Sequence, residues 1–266
     1  MITAANAGAK PTPSANAIVR LPFEEGGGTV ATDASGLGNH GSLIGNPVWA
    51  QGGLVLNGDD HVQVAASASL DLTQLTLAAW IKPDTLSAGA GVISHGVTTA
   101  PYTLQLGQNG KLRFTVAAGT PAIAWWESNA AVAVGRWQHV AVTYDGTRIR
   151  FYIGGILDGN KPETAIELGT TDEPLAIGAY LLAPGGWFAG AIRDARVHDG
   201  ALSPTEIAAL AADEFVPRAI GAFLNGALPA RRPGSLSGIA PVVAFSNLTF
   251  DDPLVIRPAP NSNRLW

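Results

Sequence analysis

Apolar and polar residues alternate with a period of two over much of the chain, which predicts β-strands rather than helices. The clearest case is the segment 140–153, in which two alternating stretches flank Asp145-Gly146. A two-residue Asp-Gly turn is a strong hairpin signal, because both central residues need positive φ. Such a turn pairs Val142 with Ile149 and places apolar side chains together on one face.

A second hairpin is predicted near Asn109-Gly110. A two-residue turn here would place Leu106 opposite Arg113, an apolar side chain against a charged one. A three-residue loop over 108–110 instead pairs Leu106 with Leu112. The sequence therefore predicts a bulged hairpin with Gly110 in the left-handed conformation.

Shorter alternating segments predict further strands, and one motif predicts a helix. The strands are expected at 54–56, 61–64, 75–82, 91–95, 175–177 and 188–198. Ser203 is the expected N-cap of a short helix, with Pro204 in its first position and Glu206 completing a capping box. Ile207 and Leu210 supply the apolar side of this helix. The pattern predicts an all-β fold with one short C-terminal helix.

The composition agrees with this fold class and excludes others. Hydrophobic residues make up 47% of the 266 residues, charged residues only 14%, and there are 32 Gly and 18 Pro, a mixture that suits short strands joined by tight loops. Disordered chains have the opposite balance of hydrophobicity and charge. A net charge of −5 without any run of Lys or Arg argues against a nucleic-acid surface. With no cysteine, disulfides and a thiol nucleophile are excluded, and no apolar run reaches the roughly 18 residues of a membrane span.

The loop from Asp33 to Gly41 holds the most concentrated chemistry in the sequence. It combines a carboxylate, a hydroxyl, an amide and three glycines within nine residues. Calcium takes six to eight oxygen ligands from carboxylates and backbone carbonyls, which such a loop can supply. An ordinary Asx turn between strands explains the same residues equally well. A dinucleotide-binding interpretation of the glycines is rejected, because no helix follows them.

Several segments, in order, carry a family resemblance. They are LPFEE at 21–25, the loop at 33–41, GLVLNGDDHVQV at 53–64, LTLAAWIKP at 75–83, WQHVAVTYDG at 137–146, and GAIRDARVH at 190–198 followed by ALS at 201–203. In this spacing they resemble the laminin-G-like, concanavalin A-like jelly-roll superfamily, in the bacterial form found on secreted enzymes. The resemblance covers about residues 16–213 and implies a two-sheet antiparallel jelly-roll sandwich with a calcium site on its rim.

The resemblance also implies which residues would bind Ca²⁺. Asp33 matches the usual carboxylate ligand, and Asn39 and Gly36 match the loop that donates carbonyl oxygens. Asp194 matches a second carboxylate, and Glu24 occupies the acidic position before the loop. The residue before Asp194 is an arginine where family members commonly have an acid, so the number of charged ligands differs from the family pattern.

Trp125 and Trp126 are the candidates for contact with a ligand. They lie in the segment 121–131, which is predicted to be a loop. An exposed aromatic pair can stack on the apolar faces of sugar rings. Burial in the sandwich core is the competing interpretation, since Trp is usually largely buried.

The sequence contains little that indicates catalysis. Glycoside hydrolysis on this fold uses paired carboxylates, usually in a Glu-x-Asp-x-x-Glu strand, and that pattern does not occur in the sequence. A nucleophile elbow of the Gly-x-Ser-x-Gly type does not occur either.

The sequence divides into four predicted parts. Residues 1–16 are a linker, 17–215 the laminin-G-like domain, and 216–243 a linker rich in Gly, Ala and Pro. Residues 244–266 resemble the opening of a glucose/sorbosone-dehydrogenase-type β-propeller, through FDDPL and PAPNSNRLW. That resemblance implies the truncated start of a following domain of a sugar-oxidising enzyme.

Together these observations predict a non-catalytic, calcium-binding carbohydrate-binding or adhesion module of a larger secreted protein. The expected partner is a polysaccharide or other glycan, the expected location is secreted, periplasmic or at the cell surface, and the module is expected to be tethered to further domains. The alternatives are a structural spacer or protein-interaction domain, and a degenerate glycoside hydrolase on the same fold.

Overall fold

The computed structural model describes residues 15–117, 124–161, 165–182 and 185–212, without the side chain of residue 160. The predicted linker at 216–243, the segment 244–266 and most of the predicted linker at 1–16 lie outside these residues. The predictions for those segments therefore stay predictions.

The described residues form sixteen β-strands, one short 3-10 turn at Ala68–Leu70 and one α-helix. The strands are β1 (Ala17–Leu21), β2 (Val30–Ala31), β3 (Gly41–Ile44), β4 (Val48–Ala50), β5 (Gly53–Asn57), β6 (His61–Val64), β7 (Leu75–Pro83), β8 (Ala90–His95), β9 (Ala100–Leu106), β10 (Lys111–Ala117), β11 (Ala124–Ala131), β12 (Gln138–Tyr144), β13 (Ile149–Ile153), β14 (Ile156–Asn160), β15 (Leu175–Ile177) and β16 (Ala189–His198). The helix is α1 (Pro204–Ala211). None of the described residues form a helix with the length and hydropathy to cross a membrane.

The strands make two antiparallel sheets that face each other across one apolar core. Sheet A has the order β14-β13-β12-β7-β16-β5-β4, and β1 also pairs with β16. Sheet B has the order β11-β10-β9-β8-β15-β6-β3-β2. Alternate residues of each strand point into the core, as Leu104 and Leu106 do in β9 and Val140 and Val142 in β12. This confirms the predicted all-β sandwich of two antiparallel sheets.

The outer face of sheet A is partly covered by helix α1. Ile207 and Leu210 of the helix are buried against Ala78, Ala141 and Tyr152 of the sheet. The helix begins as predicted, with a complete capping box between Ser203 and Glu206. The outer face of sheet A therefore has a second, smaller apolar cluster where helix α1 packs on it.

The hairpin at Asn109-Gly110 is confirmed in its loop length and register. Leu106 pairs with Leu112, and Leu104 pairs with Phe114. Gly110 has a φ of 75°, the left-handed conformation that the three-residue loop requires.

The predicted two-residue turn at Asp145-Gly146 is wrong. Tyr144 pairs with Ile149, so that the loop contains the four residues 145–148. The Asp145 carboxylate causes the difference, because its Oδ1 accepts the backbone N–H groups of Thr147 and Arg148, at 3.0 and 2.7 Å. The register moves by two residues relative to the prediction, so the same side chains still face the core.

The six further predicted strands are confirmed to within one residue at each end. The segment predicted as a loop at 121–131 is the exception, because residues 124–131 form β11 at the edge of sheet B. An edge strand gives a weak signal in the sequence, since its outer face is polar. Its inner face also carries a serine, and that hydroxyl accepts the backbone N–H of Leu112 at 2.9 Å. Strands β1–β4 and β14 were not predicted either, and two of them have only two or three residues.

Candidate functional site

Asp33 is the centre of the loop that joins β2 to β3. Its carboxylate is buried and accepts four hydrogen bonds. Oδ1 accepts the backbone N–H groups of Arg20 and Ser35, both at 2.9 Å. Oδ2 accepts the Ser35 hydroxyl at 2.6 Å and the backbone N–H of Asn39 at 2.9 Å. Burial opposes ionisation of this carboxyl, but the hydrogen bonds outweigh it and lower the pKa of Asp33.

Asp194 is held by two arginines. It lies in β16 where the register with β7 shifts, and its φ of 45° is unusual for a residue with a side chain. Oδ1 accepts from Nε of Arg20 at 3.3 Å, and Oδ2 accepts from Nε and Nη2 of Arg196 at 2.9 and 2.5 Å. Arg20 and Arg196 lie directly opposite each other across β1 and β16. The Asp194 carboxylate therefore offsets the repulsion between two neighbouring cations.

Of the other three residues expected at a calcium site, Asn39 and Gly36 lie in the same loop and Glu24 lies between β1 and β2. The Asn39 amide donates from Nδ2 to the Ile18 carbonyl at 2.7 Å and to the Ser69 hydroxyl at 3.1 Å. Gly36 is exposed, with a φ of 91°. Glu24 is exposed just before the loop. Arg20 links the two carboxylates of the set, because its backbone binds Asp33 and its side chain binds Asp194.

This arrangement does not fit a calcium ion. Calcium requires six to eight oxygen ligands, whereas the carboxylates of Asp33 and Asp194 already accept hydrogen bonds from the protein at all four oxygens. Within the part of the chain that the structure describes, no group of three or more His, Asp or Glu side chains could hold a metal ion. Calcium at this loop stays a prediction, and these contacts do not favour it.

Trp125 and Trp126 do not form a pair on one surface, because they are neighbours in strand β11 and point to opposite faces of sheet B. Trp126 faces inward, with its ring centroid 6.4 Å from that of Phe114. Trp125 faces outward and is 52% exposed. The guanidinium of Arg113 lies 4.6 Å from the Trp125 ring centroid. Of the two, Trp125 alone lies on an open surface.

Trp125 begins a row of outward-facing residues that crosses sheet B. Each member is the register partner of the next, one in each successive strand. From β11 to β3 the row contains Trp125, Thr115, Thr103, Ser94, Ala176, Gln63 and Ser42. We call this set the outer row. Strands lie about 4.8 Å apart, so the six intervals of the outer row span about 29 Å.

Three hydroxyls in the outer row are buried and have no hydrogen-bond partner. They belong to Ser94 and Thr103, which are inaccessible to solvent, and to Thr115, which is 4% exposed. Buried polar groups in folded proteins are nearly always paired, and an unpaired one costs about 1–3 kcal/mol. These adjacent hydroxyls therefore lie unpaired on the outer face of sheet B, below the surface that solvent reaches.

A short segment before β16, which includes Ala179, Tyr180 and Gly186, packs against β8 of sheet B. The backbone N–H groups of Gly91 and Tyr180 donate to the Gly186 carbonyl at 3.0 and 2.7 Å. A side chain at position 91 would collide with this segment, since a Cβ there would lie 2.2 Å from the backbone of Ala179. Burial raises the pKa of the Tyr180 hydroxyl. Gln105 keeps a buried Nε2 without a partner, next to the outer row.

The comparison with protein-family models gives the family. Residues 56–208, more than half of the chain, match the model of the concanavalin A-like lectin/glucanases superfamily. The chain belongs to this superfamily. This agrees with the laminin-G-like resemblance in the sequence. None of the curated proteins searched matches the chain.

Solved structures of similar fold include members of several protein classes. Domain 4 of AbnA, a GH43 extracellular arabinanase from Geobacillus stearothermophilus in complex with arabinotriose, is 20% identical with a TM-score of 0.60, over 74% of this chain and 98% of that domain. A botulinum neurotoxin type C structure and the binding domain of Paraclostridial Mosquitocidal Protein 1 are each 14% identical over 74% of this chain, with TM-scores of 0.58 and 0.57. This chain covers only about half of either toxin structure, 51% and 52%. At these identities the likeness establishes a shared concanavalin A-like fold.

Sequence reasoning missed the outer row of this concanavalin A-like domain. The alternation in β9 and β10 does indicate that Thr103 and Thr115 face away from the core. Nothing in the sequence indicates that these hydroxyls are buried and unpaired. That property arises from the tertiary arrangement of strands that are distant in sequence.

Proposed function

We propose that this domain is a non-catalytic carbohydrate-binding module of a secreted protein, and that its glycan lies along the outer row of sheet B. The observation that carries the proposal is the set of adjacent buried hydroxyls without partners at Ser94, Thr103 and Thr115. A glycan presents many hydroxyls that can both donate and accept. It can satisfy these hydroxyls once the groups that cover them move aside on binding, because solvent does not reach them in the unliganded fold.

The edge of the same row supplies an aromatic contact. Trp125 is the largest exposed aromatic side chain of β11 and is the register partner of Thr115. The apolar face of a sugar ring can stack on the indole while the sugar hydroxyls reach the neighbouring strands. An aromatic group beside unpaired hydroxyls is the combination that distinguishes sugar binding from the binding of a purely apolar or purely ionic ligand.

The charges on this face indicate a neutral glycan. Arg113 and Glu127 lie beside the outer row and form an ion pair at 2.8 Å, so that their charges offset each other. Glu127 is the one carboxylate among the strand residues on the outer face of sheet B near β8–β11, and hydrolysis on this fold requires two. Binding of an uncharged chain is thus favoured over hydrolysis and over binding of an acidic polymer.

The comparisons support the same class of function. The superfamily contains lectins by description, and one structural neighbour is an arabinanase domain in complex with arabinotriose. That neighbour is part of an extracellular enzyme, and we propose a corresponding extracellular location and a tethering role for this module. Arabino-oligosaccharides therefore belong in the first set of ligands to test.

Trp125→Ala is expected to weaken glycan binding about tenfold, because stacking on an aromatic ring contributes about 1–1.5 kcal/mol. The measurement is affinity electrophoresis of the whole chain in gels that contain neutral arabinan, xylan or β-glucan, followed by calorimetric titration with oligosaccharides of the retained polymer. Polygalacturonate serves as the acidic comparison and is expected to bind less tightly.

Ile156→Ala is the matched control, because Ile156 is 74% exposed on β14 of sheet A and is not a member of the outer row. Its glycan affinity should equal that of the unmodified chain. Retention by no glycan at all would favour the spacer or protein-interaction alternative. Equal affinities of the Trp125 and Ile156 variants for a bound glycan would place the site elsewhere.

A further inference from the structure

We infer that Arg20 and Arg196 take the electrostatic role that a calcium ion would have in this loop, so that the rim of the sandwich is held together without a divalent cation. The inference concerns stability of the rim and is independent of the glycan proposed for sheet B. It is carried by the contacts of two carboxylates and two guanidinium groups.

The first step concerns the acceptor positions of the Asp33 carboxylate, all of which are occupied by hydrogen bonds from the protein. A carboxylate has about four acceptor positions, and four protein donors occupy those of Asp33 at 2.6–2.9 Å. Three of the donors are backbone N–H groups, of Arg20, Ser35 and Asn39. Coordination of a cation by Asp33 would leave some of these donors unpaired in a buried place, which destabilises the fold.

The second step is the position of the arginines. Arg196 binds Asp194 through two nitrogens, at 2.9 and 2.5 Å, and its side chain is only 7% exposed. Arg20 reaches the other oxygen of Asp194 at 3.3 Å. A divalent cation ligated by Asp194 would therefore lie next to two fixed positive charges, which repel it.

The third step is the balance of charge. Asp33 and Asp194 contribute two negative charges, and Arg20 and Arg196 contribute two positive ones. The charges of these four side chains sum to zero, so a calcium ion would add two positive charges that these four groups do not offset. Arg20 connects the two carboxylates, because its backbone N–H donates to Asp33 and its side chain donates to Asp194.

The backbone shows that this arrangement is built into β16. The register shift between Arg193 and Arg196 and the positive φ of Asp194 bring its carboxylate beside two arginines that are cross-strand partners. A left-handed conformation has an energetic cost at an aspartate. The two charge-assisted contacts that it permits offset that cost.

The test is thermal unfolding of the whole chain in calcium chloride and in EDTA. The midpoint is expected to be the same in both, since a ligand that binds only the folded state would raise it. Arg20→Gln removes the arginine that joins the two carboxylates, and it is expected to lower the midpoint by about 2–4 °C to the same extent in calcium and in EDTA. Calorimetric titration of calcium into the folded chain should give no binding heat.

A midpoint that rises by several degrees in calcium would overturn the inference. This outcome can be read on the unmodified chain, so the inference remains falsifiable even if the Arg20 variant does not fold. The control variant is Arg136→Gln, because Arg136 is exposed between β11 and β12. The unfolding midpoint of this variant should match that of the unmodified chain. An Arg20 variant as stable as the Arg136 variant would also contradict the inference.

Discussion

Replacing Asp33 with alanine is expected to lower the free energy of unfolding by about 3 kcal/mol, because four donors lose a charged acceptor and each such hydrogen bond contributes about 1.5–3 kcal/mol before water replaces part of the loss. Two of the donors, the N–H groups of Arg20 and Asn39, anchor the loop to β1 and to its own far end. The loss follows from the loop's structure alone, so it should be equal in calcium and in EDTA. Urea unfolding followed by tryptophan fluorescence measures it.

Two further substitutions make the Asp33 result specific. Asp33→Asn keeps one acceptor oxygen but places an NH2 donor against a backbone N–H, so it should lose nearly as much stability as alanine. Asp172→Ala removes an exposed carboxylate, and it should change the free energy of unfolding by no more than about 0.5 kcal/mol. If Asp33→Ala were as stable as the Asp172 variant, the four hydrogen bonds would not hold the loop as described.

The combined variant Ser94→Ala, Thr103→Val and Thr115→Val is expected to bind glycan about 100-fold more weakly than the unmodified chain. Each lost hydroxyl removes about 1 kcal/mol of hydrogen bonding to the ligand, and 1.4 kcal/mol corresponds to a factor of ten. The same variant should be at least as stable as the unmodified chain, by up to about 1 kcal/mol, because the hydroxyls have no partner in the unliganded fold. Calorimetric titration and urea unfolding measure the two effects separately.

Thr76→Val is the matched control for this combined variant. Thr76 lies in β7 on the outer face of sheet A, where its hydroxyl donates to the Gly200 carbonyl at 2.7 Å and accepts the N–H of Leu202 at 2.9 Å. The same chemical change should here cost about 1–2 kcal/mol of stability and leave glycan affinity unchanged. A combined variant that lost stability and kept its affinity would show that the outer-row hydroxyls serve the fold rather than a ligand.

The sequence predicted the fold where the signal was local. The loop at 108–110 was predicted correctly, because facing Leu106 with Leu112 allows one register only. The turn at 145–148 was missed by two residues, because the Asp145 side chain binds two backbone N–H groups and enlarges the loop. Hydrophobic alternation could not detect this, since a shift of two residues keeps the same face inward.

The candidate site was harder to predict, because its properties arise between strands that are far apart in sequence. The family resemblance located Asp33 and Asp194, but it could not show that Arg20 and Arg196 reach them from β1 and β16. The tryptophans at 125 and 126 looked like a pair in a loop, whereas strand β11 sends them to opposite faces. The register with β10 sets their directions, because Trp126 pairs with the inward-facing Phe114 and Trp125 pairs with the outward-facing Thr115.

The most direct test of the glycan-binding proposal is to map the bound ligand by backbone amide chemical shifts. The isotope-labelled chain would be titrated with the oligosaccharide that binds best in the affinity measurements. The proposal predicts that the largest shifts cluster in β8–β11, at Ser94, Thr103, Thr115 and Trp125. Shifts confined to the loop at 33–40 or to the strands of sheet A would contradict it.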